Sequence, residues 1–313
     1  TMMAHCQAGD RVVMSCGVFG ATLTLLKKFF VKYGVTLDLV RPTDLDAWAA
    51  ALSTPAKLAY CETPSNPMME VVDIAGVSQL CRSNNTIFVV DNCLMTSVLQ
   101  RPLQFGADLV IHSATKYLDG QGRVLGGAVV GSHELIAPIT QFIRSGGVTM
   151  SAFNAWIFLK GLETLDVRMQ AHCARAMELA TWLEEHPAVA RVHYAGLPSH
   201  PQADLITKQM RAGGGVLSLE LKQPDQEMAW KFLNGTCLMS LTANLGDVKT
   251  TVCHPATTTH GRLDRADRHL MGIGENLIRI SVGLESVEDI KMDCERGFQA
   301  LSHSEVDHPP VTR

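Results

Sequence analysis

From Arg11 to about Gly131, short runs of consecutive apolar residues alternate with stretches whose apolar positions recur every three or four residues. RVVMS, TLDLV, KLAYCE, TIFVVD and DLVIHS are the runs, and DIAGVSQLCRSN is one of the segments between them. Unbroken apolar runs of this length suit strands covered on both faces, whereas a strand with one wet face alternates. The pattern therefore predicts an α/β fold, a mostly parallel sheet covered by helices. In such sheets ligands gather at the carboxyl ends of the strands. Glu62, Asp91 and Ser113 each close one of the runs.

From Ser151, the stretch FNAWIFLKGLETLDVRMQAHCARAMELATWLEEHP predicts a long helical segment, expected to be a helix pair bridging two domains and stopped at Pro187. The pattern then changes to ARVHYAG, a Pro/His-rich loop LPSHPQ, a strand in GGGVLSLEL and a final helix. Ser286 and Asp289 have the spacing of a capping box, and Ile290, Cys294, Phe298 and Leu301 fall on one face of that helix. The expectation is a large domain over residues 1–164 and a smaller C-terminal α+β domain over 165–313, with SEVDHPPVTR as a frayed tail. TMMAHCQAGD reads as the end of a helix before a Gly9-Asp10 stop, so a segment upstream of Thr1 is expected.

Charge narrows the choice of partners. With 27 Lys and Arg against 31 Asp and Glu, and no basic tract, nucleic acid and anionic membrane are poor candidates. No apolar run approaches the roughly 20 residues that a membrane-spanning helix needs. The 9 cysteines are scattered without a Cys-x-x-Cys pair, which reads as reduced thiols and a cytoplasmic location.

Chemistry concentrates in DLVIHSATKYLDGQGRVLGG, where a strand runs into His-Ser-Ala-Thr-Lys-Tyr. A lysine at the mouth of a strand, partly desolvated, has its free amine available to condense with an aldehyde. Pyridoxal phosphate asks four things of a protein: that amine, an acid for its ring nitrogen, donors for its phosphate and a flat partner for its ring. Lys116, Asp91, Ser113 with Thr115, and Phe19 are the candidates. The plainer readings are a loop lysine, a helix-capping Asp, turn-forming hydroxyls and a core Phe. Arg279 in NLIRISVGLES is costly within an apolar strand unless it grips a carboxylate, and an amino-acid substrate carries one. The alternative is an internal ion pair. His254 and His260 lack the further ligands and spacing of a zinc site, so no metal is expected.

Together ETPSNP, VVDN, HSATKYLDGQGR, NAWIFLKGLETLDVRM, HPATTTHGRL and LIRISVGLES resemble the trans-sulfuration, or Cys/Met metabolism, family of pyridoxal-phosphate enzymes over essentially the whole chain. The resemblance implies the PLP-dependent transferase fold of type I, that of aspartate aminotransferase. It implies Lys116 as the Schiff-base lysine and general acid–base, Asp91 on the pyridine nitrogen and Ser113 and Thr115 on the phosphate. It further implies Asn66 near the phenolic oxygen and Arg279 on the substrate carboxylate, in a cytoplasmic homotetramer built as a dimer of dimers. Phe19, the Gln-Gly-Arg in LDGQGRVLGG and Asn244 in TANLGD resemble the O-succinylhomoserine sulfhydrylase branch. That branch implies γ-replacement with an amino-acid substrate and sulfide, Asn244 lying at the substrate. Cystathionine γ-synthase and O-acetylhomoserine sulfhydrylase are the alternatives. The family also carries a Ser-Gly-Met turn and a Tyr-x-Arg arm ahead of the point where this sequence starts, so a non-catalytic remnant is the reading from another class.

Overall fold

The computed structural model describes residues 1–302. The strands expected in the first half form at β1 (Arg11–Ser15), β2 (Thr36–Val40), β3 (Leu58–Glu62), β4 (Ile87–Asp91) and β5 (Leu109–Ser113), with β6 (Gly127–Gly131) in addition. They make one sheet in the order β2-β1-β3-β4-β5-β6, parallel throughout except that β6 runs antiparallel to β5. The sequence pattern does not announce β6. It holds only Ala-Val-Val between glycines, and it pairs antiparallel to β5.

Helices cover both faces of this sheet, as the unbroken apolar runs require. In chain order they are α1 (Met2–His5), α2 (Gly20–Lys28), α3 (Leu45–Leu52), α4 (Ile74–Ser83), α5 (Thr96–Leu99), α6 (His133–Gly146) and α7 (Ala152–Glu163). Val12, Met14, Leu58, Tyr60, Val89 and Leu109 pack with Leu23 and Leu26 of α2 and Ile139 of α6. On the opposite face, Val13, Ala59, Cys61, Phe88 and Val90 pack with Trp48 of α3 and Ile74, Val77 and Cys81 of α4. Strand side chains alternate between faces, so one strand feeds both layers. Each fully buried Phe, Leu or Val here contributes roughly 1.5–3 kcal/mol.

The second half holds α8 (Leu165–Glu184), α9 (Ala203–Gln209), α10 (Gln226–Gly235), α11 (Arg265–Leu270) and α12 (Val287–Ala300). Its strands are β7 (Val189–His193), β8 (Val216–Leu221), β9 (Ser240–Leu241), β10 (Thr251–Cys253) and β11 (Leu277–Ser281). They form a second sheet in the order β7-β8-β11-β10-β9. The long helical stretch breaks at Thr164 into α7 and α8. Ala176, Leu179, Ala180 and Leu183 of α8 join the core under the second sheet, whereas Leu165, Met169 and Cys173 pack with Leu94, Met95 and Tyr117. Ile290, Cys294 and Phe298 are buried on one face of α12, as its periodicity predicts, with Leu301 packed alongside. The capping box does not form: Ser286 is the N-cap but makes no side-chain hydrogen bond, and Glu288 and Asp289 meet the helix N-terminus through charge alone. The expected tail SEVDHPPVTR lies outside the described residues. All nine cysteines are free thiols. Among the described residues no helix is long and apolar enough to cross a membrane.

One close approach fixes the helix pair against the Lys116 loop. A Cβ at Gly161 would stand 1.9 Å from the Leu118 carbonyl oxygen. Arg168, buried where α8 begins, donates to the Gly161 carbonyl at 2.7 Å and to the Tyr117 carbonyl at 2.8 Å. Inside a helix, Gly→Ala normally stabilises by about 0.5–1 kcal/mol. Here the clash with backbone outweighs that gain. Gly161→Ala is expected to lower stability by at least about 2 kcal/mol, read from the urea midpoint; an unchanged midpoint would mean that α7 can back away from the loop.

Candidate active site

The carboxyl ends of β3, β4 and β5 place their last residues on one face. Leu58, Tyr60 and Val89 belong to the layer beneath α2, so by the two-residue period Glu62 and Asp91 point the same way, and they sit side by side in register. Ser113 follows Leu109 and Ile111 onto that face. The three converge on a cavity of about 210 Å³ that is also lined by Phe19, Asn66, Lys116 and Arg279. A larger cleft of about 500 Å³ lies elsewhere, around Arg191, His193 and His200. The chemistry is in the smaller one.

Lys116 lies in the turn that follows β5. Its amide donates to the Ser113 carbonyl at 3.1 Å, and its own carbonyl accepts from Gly120 at 2.8 Å. Gly246 closes over this turn with φ +80°, and a Cβ there would come within 2.9 Å of the Tyr117 nitrogen. Burial lowers the pKa of the Lys116 amine, and the Arg279 guanidinium pushes it the same way. The amine donates to Asn244 Oδ1 at 2.5 Å.

The two carboxylates have raised pKa values. Burial lifts Asp91 to about 6, although its oxygens accept from the Cys93 amide at 3.0 Å and the Tyr60 hydroxyl at 3.1 Å. Burial lifts Glu62 well above the ordinary carboxylate range, and the neighbouring Asp91 charge adds to it. Glu62 Oε2 accepts the Phe19 amide at 2.7 Å, which fixes the start of α2 and with it the ring of Phe19, 40% exposed at the cavity edge.

Arg279 comes from the second sheet. It is 1% exposed, donates from Nη1 to Asn66 Oδ1 at 3.2 Å and from Nη2 to the carbonyls of Ala243 and Asn244 at 2.9 and 3.1 Å. It makes no ion pair with an internal Glu among the described residues. Its Nε is buried without a partner. Left unmet, such a donor costs roughly 1–3 kcal/mol, and a carboxylate in the cavity would meet it.

Six of the residues singled out in the sequence line the cavity: Phe19, Asn66, Asp91, Ser113, Lys116 and Arg279. Asn244 joins through its bond to Lys116. Thr115 does not line the cavity. Its hydroxyl donates to the Gly126 carbonyl at 3.3 Å and accepts from the Gly126 amide at 3.1 Å, which turns it onto the chain leading into β6. Tyr60, Cys93, Leu94 and Leu245 were not picked out as site residues in the sequence, and Glu62 was noted only as a strand end. Glu62 could have been found from its place in register with Asp91; nothing local marks Leu245. His254 is held by Thr257 and the Glu275 carbonyl, and His260 by Thr259, apart from each other's ring nitrogens.

Comparison with known proteins identifies the family. A model of the family described as Cys/Met metabolism PLP-dependent enzyme matches residues 1–299. The chain belongs to that family. It is 50% identical over 300 residues to O-succinylhomoserine sulfhydrylase of Pseudomonas aeruginosa, covering 96% of this chain and 74% of that protein. It is 43% identical to O-succinylhomoserine sulfhydrylase of Mycobacterium tuberculosis, over 93% of this chain and 73% of that protein. Cystathionine gamma synthase from Xanthomonas oryzae pv. oryzae, solved with cystathionine, superposes with a TM-score of 0.93 at 35% identity, over 96% of this chain and 78% of that one. The fold is therefore that of the type I PLP-dependent enzymes, and pyridoxal 5'-phosphate is the family's cofactor. The donor set fits that group: one amine whose pKa burial lowers, buried carboxyl groups, one open hydroxyl and one aromatic ring around a single cavity.

Asp91 gives a test that needs no cofactor. Its folded pKa of about 6 stands above the ordinary 3.8, so the folded protein takes up a proton between those values. The cost of burying the ionised carboxylate is then fully present above about pH 6 and gone below about pH 4. Asp91→Asn in the cofactor-free protein is expected to raise Tm at pH 7 and to leave it nearly unchanged at pH 4. Equal Tm values at pH 7 would show that the carboxylate carries no such cost.

Proposed function

We propose that the chain catalyses γ-replacement on an acylated homoserine, with O-succinylhomoserine and sulfide giving homocysteine and succinate. In this step the Cγ–O bond of the ester breaks, a Cγ–S bond forms, and succinate leaves with the electron pair of the broken bond. The observation that carries the reading is the Lys116 amine, held at 2.5 Å from Asn244 Oδ1 in the cavity shared with Asp91 and Arg279. The printed names of the relatives at 50% and 43% identity favour the succinyl ester and sulfide.

Bound pyridoxal phosphate supplies an aldehyde for the lysine and an electron-withdrawing ring that stores the substrate's carbon-bound electrons. Asp91 would hold the ring nitrogen in its protonated form, Phe19 would cover the ring, Ser113 would donate to the phosphate and Asn66 would lie near the phenolic oxygen. Thr115, tied to Gly126, would contribute to the phosphate chiefly by shaping the turn. Arg279 is pre-oriented by Asn66 and two carbonyls, so its remaining donors can take the substrate carboxylate without ordering the side chain anew. Lys116, its pKa lowered by burial, can accept the proton from the substrate α-carbon and return one elsewhere, while Asn244 orients the amine.

We further propose that the protein works in the cytoplasm as a homotetramer, a dimer of dimers, with residues 1–164 and 165–313 as its two domains. Outward-facing apolar side chains on α7 support self-association: Phe153, Trp156 and Leu159 are 63%, 53% and 61% exposed in the single chain. Trp156→Glu is expected to shift the protein to smaller species in sedimentation; an unchanged distribution would place the interface elsewhere.

The function is tested by product analysis. Protein loaded with pyridoxal phosphate is expected to show a visible absorption band that Lys116→Ala removes, and to form homocysteine faster from the succinyl than from the acetyl ester with sulfide. Cystathionine as the main product when cysteine is offered beside sulfide would overturn the sulfhydrylase reading. A colourless protein indifferent to Lys116→Ala would overturn the enzyme reading itself.

A further inference from the structure

Beside the cavity that holds Lys116 lies a second hollow, of about 470 Å³. The two share Phe19 and Ala243 as a common wall. Gly20, Ala21 and Thr24 of α2 line one side of the hollow, and Thr258 and Arg262 the other. The inner cavity, at about 210 Å³, is smaller than the roughly 300–1,000 Å³ of a pocket that encloses a whole ligand. With cofactor and amino-acid portion inside it, a long substituent on the γ-carbon has the hollow past Phe19 as adjoining room.

The hollow is electrostatically one-sided. Among the described residues, Arg262 is the one charged residue on its lining and no carboxylate lines it. Of the cations nearby that do not line it, Lys27 pairs with Asp267 at 2.8 Å and Arg268 with Glu275 at 3.4 Å. The first turn of α2 holds no acidic residue, so nothing on that side opposes an anion. The inner cavity differs, because Asp91 and Glu62 line it and its Arg279 is assigned above to the α-carboxylate. A substrate with a carboxylate at the far end of its leaving group therefore has one favourable direction in which to lay it.

We propose that Arg262 binds the free carboxylate of a succinyl leaving group in this hollow and is the residue that separates succinyl from acetyl esters. A succinyl ester carries that carboxylate beyond two methylenes, whereas an acetyl ester ends in a methyl group. The planar guanidinium can meet a carboxylate with two parallel hydrogen bonds, which a lysine cannot reproduce. Because Arg262 is exposed, the discrimination is moderate and weakens with salt. The inference rests on the γ-replacement reading above, and its test separates the two.

The test is the ratio of kcat/KM for O-succinyl- over O-acetylhomoserine, with sulfide, in the loaded enzyme. Arg262→Leu is expected to lower that ratio about fivefold or more, Arg262→Lys to lower it less, and added NaCl to lower it in the wild type but not in Arg262→Leu. Thr24→Asp, which puts a carboxylate on the opposite wall, is expected to lower it too and carries the test should Arg262→Leu fold poorly. A ratio unchanged in both variants overturns the proposal and leaves the γ-replacement reading intact. Calorimetric titration with succinate is the second arm and needs no turnover. Wild type is expected to bind succinate more tightly than acetate, and Arg262→Leu to lose that preference; absence of the preference, or its persistence in Arg262→Leu, overturns the carboxylate site. If neither ester is turned over, the γ-replacement reading fails and this titration alone decides the role of Arg262.

Discussion

Two basic and two acidic side chains share one small cavity in an otherwise apolar interior, and the rest of the structure is arranged around keeping them there. Lys116, Arg279, Asp91 and Glu62 would each be expensive to bury alone. Together they offset one another only in part, since burial still lowers the pKa of the amine and raises those of both acids. A packed core would be more stable without them. An unrelieved cost of this kind, at the carboxyl ends of parallel strands, is what a site prepared for a charged, planar cofactor presents before that cofactor is bound.

The scaffold holds the four groups by two independent routes. Glu62 and Asp91 are fixed by backbone register within the first sheet, where adjacent parallel strands end level and turn the same face to α2. Arg279 comes from the second sheet, seated in β11 between β8 and β10. The connection between sheets is made of buried polar bonds as well as apolar contacts: Arg279 reaches Asn66, and Ser218 donates to the Pro67 carbonyl at 2.8 Å. Such bonds are directional, so the geometry of the cavity depends on the two halves keeping one relative position. Arg168 and the bare Cα of Gly161 play the matching part beneath the Lys116 turn.

Phe19 links the cavity to its surroundings. As N-cap of α2 it contributes an amide to Glu62, a ring to the inner cavity and a wall to the outer hollow. A residue with a capping oxygen would serve the helix better. Its ring and its amide serve the site, which accounts for a poor cap at that position.

The sequence by itself determined the layers and marked several of the residues that line the cavity. Unbroken apolar runs located β1 to β5 and implied helices on both faces, because a strand buried on both sides cannot alternate. The strand ends located Asp91 and Ser113, and the placing of Lys116 after DLVIHS made an amine available to an aldehyde. What the sequence left open is what depends on contacts between distant segments. β6 holds only Ala-Val-Val between glycines, and its antiparallel place beside β5 is a matter of pairing between segments. The bonds of Thr115 to the Gly126 peptide come from packing of the following loop, which its local spacing does not show. Glu62 became part of the site only through its register with Asp91. The hollow around Arg262 exists only where α2 meets the loop before α11, two segments far apart in the chain. Local pattern fixes which surfaces are buried; which polar groups then face one another is decided by the tertiary packing.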